Sequence, residues 1–425
     1  MKTETGTLVR WRGQIFLAAW TLYAGYYICR KDVVSATDSA VSQFAITLAC
    51  FAVTYAIGQI IGGVLADRFG ARRTALAGAA ISITCTGLMA WCARPDHALA
   101  LQFGNGLGQG FGWPSLLKLI GSWFGRGERD RVLGWWSTSY ILGGLVATSL
   151  TAWLVLHTGV VSRSGFYPAY LVSSGVLLCT ALFFYRATAG LPDRIPLDLV
   201  PSSSPSARLS FWGAWRMIVG NRTIRIISGM YFFLKMTRYT LLFWLPHYLI
   251  SSLGYSVRTA ERSASYFELL GFLGPIAAGY AVERWFGSRR MALGTGMLFA
   301  LAFLCLLHPM LALSGWFAMT VSISLIGILV YGADVLMSGM AVLDAVPEEL
   351  HGRAIGFVNG IGSMGQMLSP FLVTVFVSHL GWTRLFDLFV FFALVAGVIG
   401  AIGARQPEQT LKSKRSMLEP SEQPL

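Results

Sequence analysis

The sequence predicts an all-α membrane protein with twelve transmembrane helices arranged as two pseudo-symmetric six-helix halves. Three observations carry that prediction. Of the 425 residues, 55% are hydrophobic and only 12% are Asp, Glu, Lys or Arg, against about 25% charged in a soluble domain. Runs such as 44–65, 98–120 and 321–342 hold at most one or two ionisable groups and reach the roughly 20 residues that cross a bilayer. A segment of the first half, Ala66 to Leu76, recurs in the second as Glu283 to Leu293, the mark of a duplicated unit.

Taken in order, residues 1–14 are polar and basic, and the apolar segment behind them continues to Tyr27 without a small-residue cleavage site, so it reads as a retained first span. Charged breaks then place spans at 14–34, 43–65, 74–93, 98–121, 132–156 and 166–186. A second set follows at 224–250, 264–283, 291–309, 314–343, 354–379 and 384–404. The halves are therefore 1–186 and 223–404. Between them, residues 187–222 include Val200-Pro-Ser-Ser-Ser-Pro-Ser-Ala207 and read as a flexible linker. Residues 405–425 read as a disordered polar tail. Lys and Arg crowd the side that holds both termini and the linker, while the other side carries only Arg94, Arg163, Arg258, Arg262 and Arg384. By the positive-inside rule both termini face the cytoplasm of a plasma membrane, the inner membrane in a bacterium.

The +13 formal charge thus records topology and points to the lipid bilayer rather than to nucleic acid as partner. Six cysteines, Cys29, Cys50, Cys85, Cys92, Cys179 and Cys305, are scattered singly, with no cluster of metal-ligand or redox spacing. No cofactor and no metal are expected. No Ser/His/Asp set or phosphate-cradling glycine loop occurs, and the 47 glycines are spread through the helices as close-packing contacts, so the chain does not read as an enzyme. A monomer is the expected unit.

The repeat extends beyond one loop. Gly70 and Arg73 recur as Gly287 and Arg290, and Arg131-Val-Leu-Gly134 is echoed by Arg353-Ala-Ile-Gly356 at a similar offset. With this repeat the chain resembles the major facilitator superfamily, whose signature loop between the second and third helices has the pattern G-x-x-x-D-R-x-G-R-R. The corresponding segment is Gly62-Gly-Val-Leu-Ala-Asp67-Arg68-Phe-Gly70-Ala-Arg72-Arg73. Such a loop supplies a carboxylate and guanidinium groups that bridge helix ends and break as the halves rock. Asp67, Arg68, Arg72 and Arg73, with Glu283 and Arg284 of the repeat copy, are the candidate gating residues. The competing reading, topology signalling alone, would use the arginines but has no need of Asp67.

Five cations remain inside or at the ends of spans: Arg30, Lys31, Lys118, Lys235 and Arg238. Each costs about 3 kcal/mol or more in hydrocarbon and so tends to face a wet cavity. Tyr23, Tyr27 and Arg30 share one face of the first span, and Tyr231, Lys235 and Arg238 repeat the spacing in the seventh. If the halves pack about a pseudo-two-fold axis, these faces meet near the midplane. Like charges gather in low dielectric around an anion, and Arg suits the bidentate grip of phosphate or carboxylate. The alternatives are snorkelling for Arg30 and Arg238, pairing of Lys31 with Asp32, packing for Tyr27, and ion pairs of Lys118 or Lys235 with Glu268 or Asp334 in place of substrate contacts.

Within the superfamily the chain looks like an organophosphate:phosphate antiporter. Carrying this are Gly25-Tyr-Tyr-Ile-Cys-Arg30-Lys31, Gly110-Phe-Gly-Trp113-Pro114 through Lys118, Gly134-Trp-Trp-Ser-Thr-Ser-Tyr140-Ile-Leu-Gly143, Lys235-Met-Thr-Arg238-Tyr239, Tyr331-Gly-Ala-Asp334 and Gly352 through Gly360. The resemblance implies a phosphate clamp of Arg30 and Arg238 and pairs Lys31 with Glu268; for Tyr27, on the face of Arg30, the residues themselves offer a phosphate hydrogen bond as the alternative to packing. A second acid of the family is replaced near Phe243. Gln59 stands where glycerol-3-phosphate carriers have Lys, and Tyr140 where they have His. The implied activity is exchange of a phosphorylated organic anion, a sugar phosphate or similar, for inorganic phosphate. Alternatives are a non-transporting sugar-phosphate sensor, as one branch of the family contains, and a proton-coupled carrier of another anion using Glu268 or Asp334.

Overall fold

A computed structural model describes residues 2–35, 41–91, 95–125, 127–158, 168–190, 210–287 and 289–404, the side chains of 2–7, 31–35, 41–49, 95, 96, 98, 148, 151, 152, 154–158, 168 and 404 excepted. No strand occurs among them. Before the linker come α1 (Lys2–Ser35), α2 (Val41–Phe69), α3 (Ala71–Met89), α4 (Pro95–Gly110), α5 (Gly112–Trp123), α6 (Arg129–Thr158) and α7 (Pro168–Thr188). After it come α9 (Arg222–Leu253), α10 (Val257–Gly271), α11 (Leu273–Ala281), α12 (Arg290–Leu313), α13 (Trp316–Val335), α14 (Ala341–Ala345), α15 (His351–Leu380) and α16 (Leu385–Ala404). Between them lies α8 (Phe211–Gly220). Among the described residues six helical stretches are long and apolar enough to cross a membrane by length and composition: Cys50–Phe69, Ala169–Thr188, Arg290–Leu313, Trp316–Ala345, Glu348–Leu380 and Trp382–Gly403.

Two of the other rods are split where the sequence reads a single span. α4 and α5 part at Phe111, and α10 and α11 at Phe272. Each break follows the residue four before a proline, Gly110 before Pro114 and Gly271 before Pro275. Proline has no N–H to bond that carbonyl, and its ring crowds it. A third irregularity is the π-helical stretch Leu336–Met340 between α13 and α14. Such turns cluster at functional sites.

The linker is not flexible throughout. Ser210 caps α8, its hydroxyl accepting from the Gly213 amide at 3.0 Å, and α8 buries Ala214 and Ile218 while Phe211 and Trp212 stay exposed. Asn221 caps α9 and donates to the Ala345 carbonyl at 2.8 Å. The Pro/Ser-rich part of the linker and the tail after 404 lie outside the described residues.

Among the helices before the linker α1 packs on α6 and α7, α2 on α4, and α3 on α4 and α7; among those after it α9 packs on α15 and α16, α12 on α13 and α16, and α10 on α13. Between them run two long seams, α2 on α15 and α6 on α11. Small residues let backbones touch there. A methyl at Gly63 would overlap the Gly352 carbonyl and one at Gly356 the Gln59 carbonyl, while in the other seam Gly134 faces the Pro275 carbonyl and Gly279 that of Asp130. At the turn within each repeat segment, Gly70 and Gly287 take φ of 94° and 53°, a region that disfavours any side chain.

Candidate functional site

α1, α2, α5, α6, α9, α13 and α15 converge on a narrow chamber of about 10 Å³, room for about one water molecule. Aromatic rings form most of its wall. Tyr23 stacks on Trp136 with centroids 5.2 Å apart, Trp113 lies 5.0 Å from Trp136, and Tyr27 lies 5.5 Å from Tyr140. Tyr55, Tyr231 and Tyr239 complete it with Lys235, Arg238, Asp334 and Asn359. Five of the six residues of the two sequence trios line this one volume, Tyr23, Tyr27, Tyr231, Lys235 and Arg238.

Three cations surround the chamber, and they are held differently. Arg238 donates from Nη1 to Asp334 Oδ1 at 2.9 Å and lies over the rings of Tyr331 at 4.7 Å and Tyr140 at 4.8 Å. The same carboxylate accepts from the hydroxyls of Tyr231 at 3.1 Å and Tyr140 at 3.2 Å. Lys235 donates to Ser363 Oγ at 2.9 Å and faces the rings of Tyr231 and Tyr55. Arg30 does not line the chamber. It stacks on Tyr27 at 4.3 Å and Tyr55 at 4.2 Å, one ring behind the wall, and donates from Nε to Gln109 Oε1 at 2.9 Å. The Nη2 of Arg30 and the Nε of Arg238 are buried without a hydrogen-bond partner. Such donors, in a low-dielectric pocket, suit the oxygens of an anion.

Gln109 heads a buried polar ladder that the sequence reading did not single out. Its Nε2 donates to Asn105 Oδ1 at 3.2 Å, Ser82 donates to the same oxygen at 2.6 Å, and Asn105 donates to Gln102 Oε1 at 3.3 Å. The available signal was the placement of Gln102, Asn105 and Gln109 on one face of an otherwise apolar span. Below the chamber, the carbonyl of Ser338 in the π-helical turn accepts from Trp113 Nε1 at 3.3 Å and Asn359 Nδ2 at 3.0 Å, tying elements of both halves together.

The repeated loops close one end of the bundle. Asp67, its side chain 2% exposed, accepts from the amides of Gly352 at 2.9 Å and Arg353 at 3.0 Å and pairs with Lys118 at 2.5 Å. Its carboxylate thereby caps the first turn of α15 from the end of α2. Lys118 therefore belongs to this seal, and neither to the chamber nor to a pair with Glu268 or Asp334. Lys235 likewise bonds Ser363, and the acid Asp334 goes to Arg238. Glu283 pairs with Arg131 at 3.5 Å, in the place equivalent to Asp67 with Arg353 at 3.7 Å. Arg68, Arg73 and Arg284 are exposed and Arg72 is half-buried.

The strongest charges of the seal went unread in the sequence. Arg290 binds both oxygens of Asp130, at 3.0 Å and 2.5 Å, and also Asp344, which pairs with Arg129. The signal for Arg290 was its equivalence to Arg73 in the repeat. Gln59 is fully buried at the α2–α15 seam, both amide atoms without a partner, and does not line the chamber. Glu268 is half-buried on α10, and the side chain of Lys31, its expected partner, lies outside the described residues. Phe243 packs on Tyr239 at 6.1 Å.

The family profile described as Major Facilitator Superfamily matches residues 15–282 and 263–422. The chain is 26% identical over 400 residues to the membrane sensor protein UhpC of Salmonella typhimurium, covering 88% of each. It is 26% identical over 411 residues to the glucose-6-phosphate exchanger SLC37A2 of Mus musculus, covering 85% of this chain and 77% of that protein. Its fold is similar to that of the Escherichia coli fucose:proton symporter FucP, with a TM-score of 0.71 at 13% identity over 92% of this chain and 98% of the symporter. At that identity the likeness concerns the fold alone.

Proposed function

The chain belongs to the Major Facilitator Superfamily, and from that membership we propose that it is a secondary active transporter exchanging a phosphorylated organic anion, a sugar phosphate or similar, for inorganic phosphate by alternating access. The observation that carries this reading is the chamber: Lys235 and Arg238 in its wall, Arg30 one ring behind, and buried guanidinium donors left unmade. A glucose-6-phosphate exchanger among the relatives points the same way. In this reading twelve rods, counting α4 with α5, α10 with α11 and α13 with α14, cross the plasma membrane as halves 1–186 and 223–404 with both termini cytoplasmic. The equivalence of the α2–α15 and α6–α11 seams under the sequence repeat supports two halves.

The physics of exchange follows from the charges. An empty cationic chamber resists closing, because unpaired charge in low dielectric is expensive. A bound anion removes that penalty and lets the halves rock. The equilibrium then crosses only when loaded, which makes exchange obligatory. The test is uptake of labelled phosphate into phosphate-loaded proteoliposomes. Wild type is expected to exchange, and Arg30→Ala and Arg238→Ala each to lose exchange by at least two orders of magnitude. Full exchange in both variants would sink the proposal. The relative named as a membrane sensor favours a second reading, saturable binding of sugar phosphate without flux.

A further inference from the structure

Among the described residues Arg30 is held by neutral groups. Arg238 has the Asp334 carboxylate beside it, whereas the Nε of Arg30 donates to an amide, Gln109 Oε1 at 2.9 Å. Behind that amide stand Asn105 and Gln102 on α4 with Ser82 and Met89 on α3, all buried. The two helices bring these groups together because their backbones touch: a methyl at Gly78 would lie 2.5 Å from the Gly108 carbonyl oxygen, and one at Gly108 2.8 Å from that of Gly78. Ser82 lies about one turn along α3 from that contact, and Asn105 about one turn back along α4.

The hydrogen bonds of this ladder all run one way. Gln109 turns its oxygen to Arg30 and its nitrogen to Asn105 Oδ1, Asn105 turns its nitrogen to Gln102 Oε1, and Gln102 turns its nitrogen to Met89 Sδ at 3.3 Å. Turning an amide over exchanges oxygen for nitrogen with almost no change of shape, so its sense is dictated by its neighbours. Both ends of the ladder are one-sided. A guanidinium only donates, and a thioether only accepts. In the middle the Ser82 hydroxyl gives Asn105 Oδ1 a second donor at 2.6 Å. No nitrogen or oxygen of the three amide side chains is left without a partner. Every amide therefore points its carbonyl towards Arg30, and hydrogen bonds laid head to tail polarise one another in the same sense.

Resting on the phosphate-exchange reading, we propose that Asn105 is a positioning residue for the phosphate: it fixes the sense of Gln109, so that a row of neutral dipoles steadies the Arg30 charge without cancelling it. A carboxylate in the place of Gln109 would also hold the guanidinium, but as an anion it would compete with the cargo for the same donors. Turned over, Gln109 would set an N–H against the Arg30 Nε–H, and the guanidinium would lose the corner that aims its Nη2 edge.

The experiment is the concentration dependence of labelled phosphate exchange in proteoliposomes for wild type, Asn105→Leu, Gln109→Leu and the double variant. Asn105→Leu is expected to raise KM about ten-fold, the scale of one hydrogen bond to a charged group, with a maximal rate within about two-fold of wild type. The double variant is expected to show the KM of Gln109→Leu alone, because Asn105 acts through that amide. Ser82→Ala removes a single donor to Asn105 and is expected to raise KM about three-fold in the wild-type background and not at all on top of Gln109→Leu; it decides the matter if Asn105→Leu does not fold. An unchanged KM, KM effects that multiply in the double variant, or a fall in maximal rate alone overturns the positioning role while leaving the exchange reading intact. If wild type binds phosphate without exchanging it, the exchange reading fails, and the same comparison made on the Kd for phosphate decides the ladder. Absence of both phosphate exchange and phosphate binding in wild type overturns the exchange reading and the positioning role with it.

Discussion

Arg30 is gripped on both faces and at one corner, by the rings of Tyr27 and Tyr55 and by the Gln109 side-chain oxygen. A desolvated cation–π contact contributes about 2 kcal/mol, and a hydrogen bond to a charged group about 1.5–3 kcal/mol. Together they fix the guanidinium plane so that its Nη2 edge remains for a ligand. Gln109→Leu leaves the stacking but frees the corner. The phosphate KM is expected to rise on the order of ten-fold, which corresponds to about 1.4 kcal/mol, with little change in maximal exchange rate; a concentration series in proteoliposomes checks this. That Tyr27 and Arg30 share a face was legible in the sequence, since helical spacing dictates it. That Gln109 meets Arg30 was not, because spacing along one helix says nothing of the register between two. Lys118 shows the same gap. It lies nine residues beyond Gln109 in the sequence, about 13 Å along a helix, which carries it from the chamber level to the seal with Asp67.

At the scale of elements, most helices follow from hydropathy, while their interruptions follow from single residues. Pro114 and Pro275 break the rods at Gly110 and Gly271, yet neither changes mean hydropathy, so a reading by apolar runs passes straight through them. The helix α8 was hidden differently: its ten residues sit beside a Pro/Ser-rich stretch whose composition dominates the segment. The seams depend on backbone contact. Gly356→Leu would drive a side chain into the Gln59 carbonyl, and overpacking of this kind costs about 1–3 kcal/mol. It is expected to lower the thermal unfolding midpoint of the purified protein and to slow exchange. Gly296→Leu on α12, where nothing lies within 4 Å, is the matched control and is expected to change neither.

For the whole molecule, the seal at one end and the chamber at the centre are built from different charges but share a rod. Asp334 belongs to the chamber, and ten residues later Asp344 joins Arg129 and Arg290 in the seal. The repeat made one part of that seal legible, Asp67 and Glu283, because both copies are visible in the chain. Asp130 and Asp344 have no acidic counterpart in the other half, so no comparison within the sequence points to them. Between Asp334 and Asp344 lies the π-helical stretch Leu336–Met340. Such a turn holds one residue more than the α-helix it interrupts, and one residue is about 100° of azimuth. The two acids therefore point correctly, one at the cargo and one at the seal, through a miscount. Deleting Met337 should restore an even count and swing Asp344 away from Arg290 while leaving Asp334 in place. Phosphate is then expected to protect the purified protein from thermal unfolding as before, while exchange is lost; exchange at the wild-type rate would show that the phase of this helix does not matter. Site and seal would be kept in step the way a gear train is, by the number of teeth between two wheels.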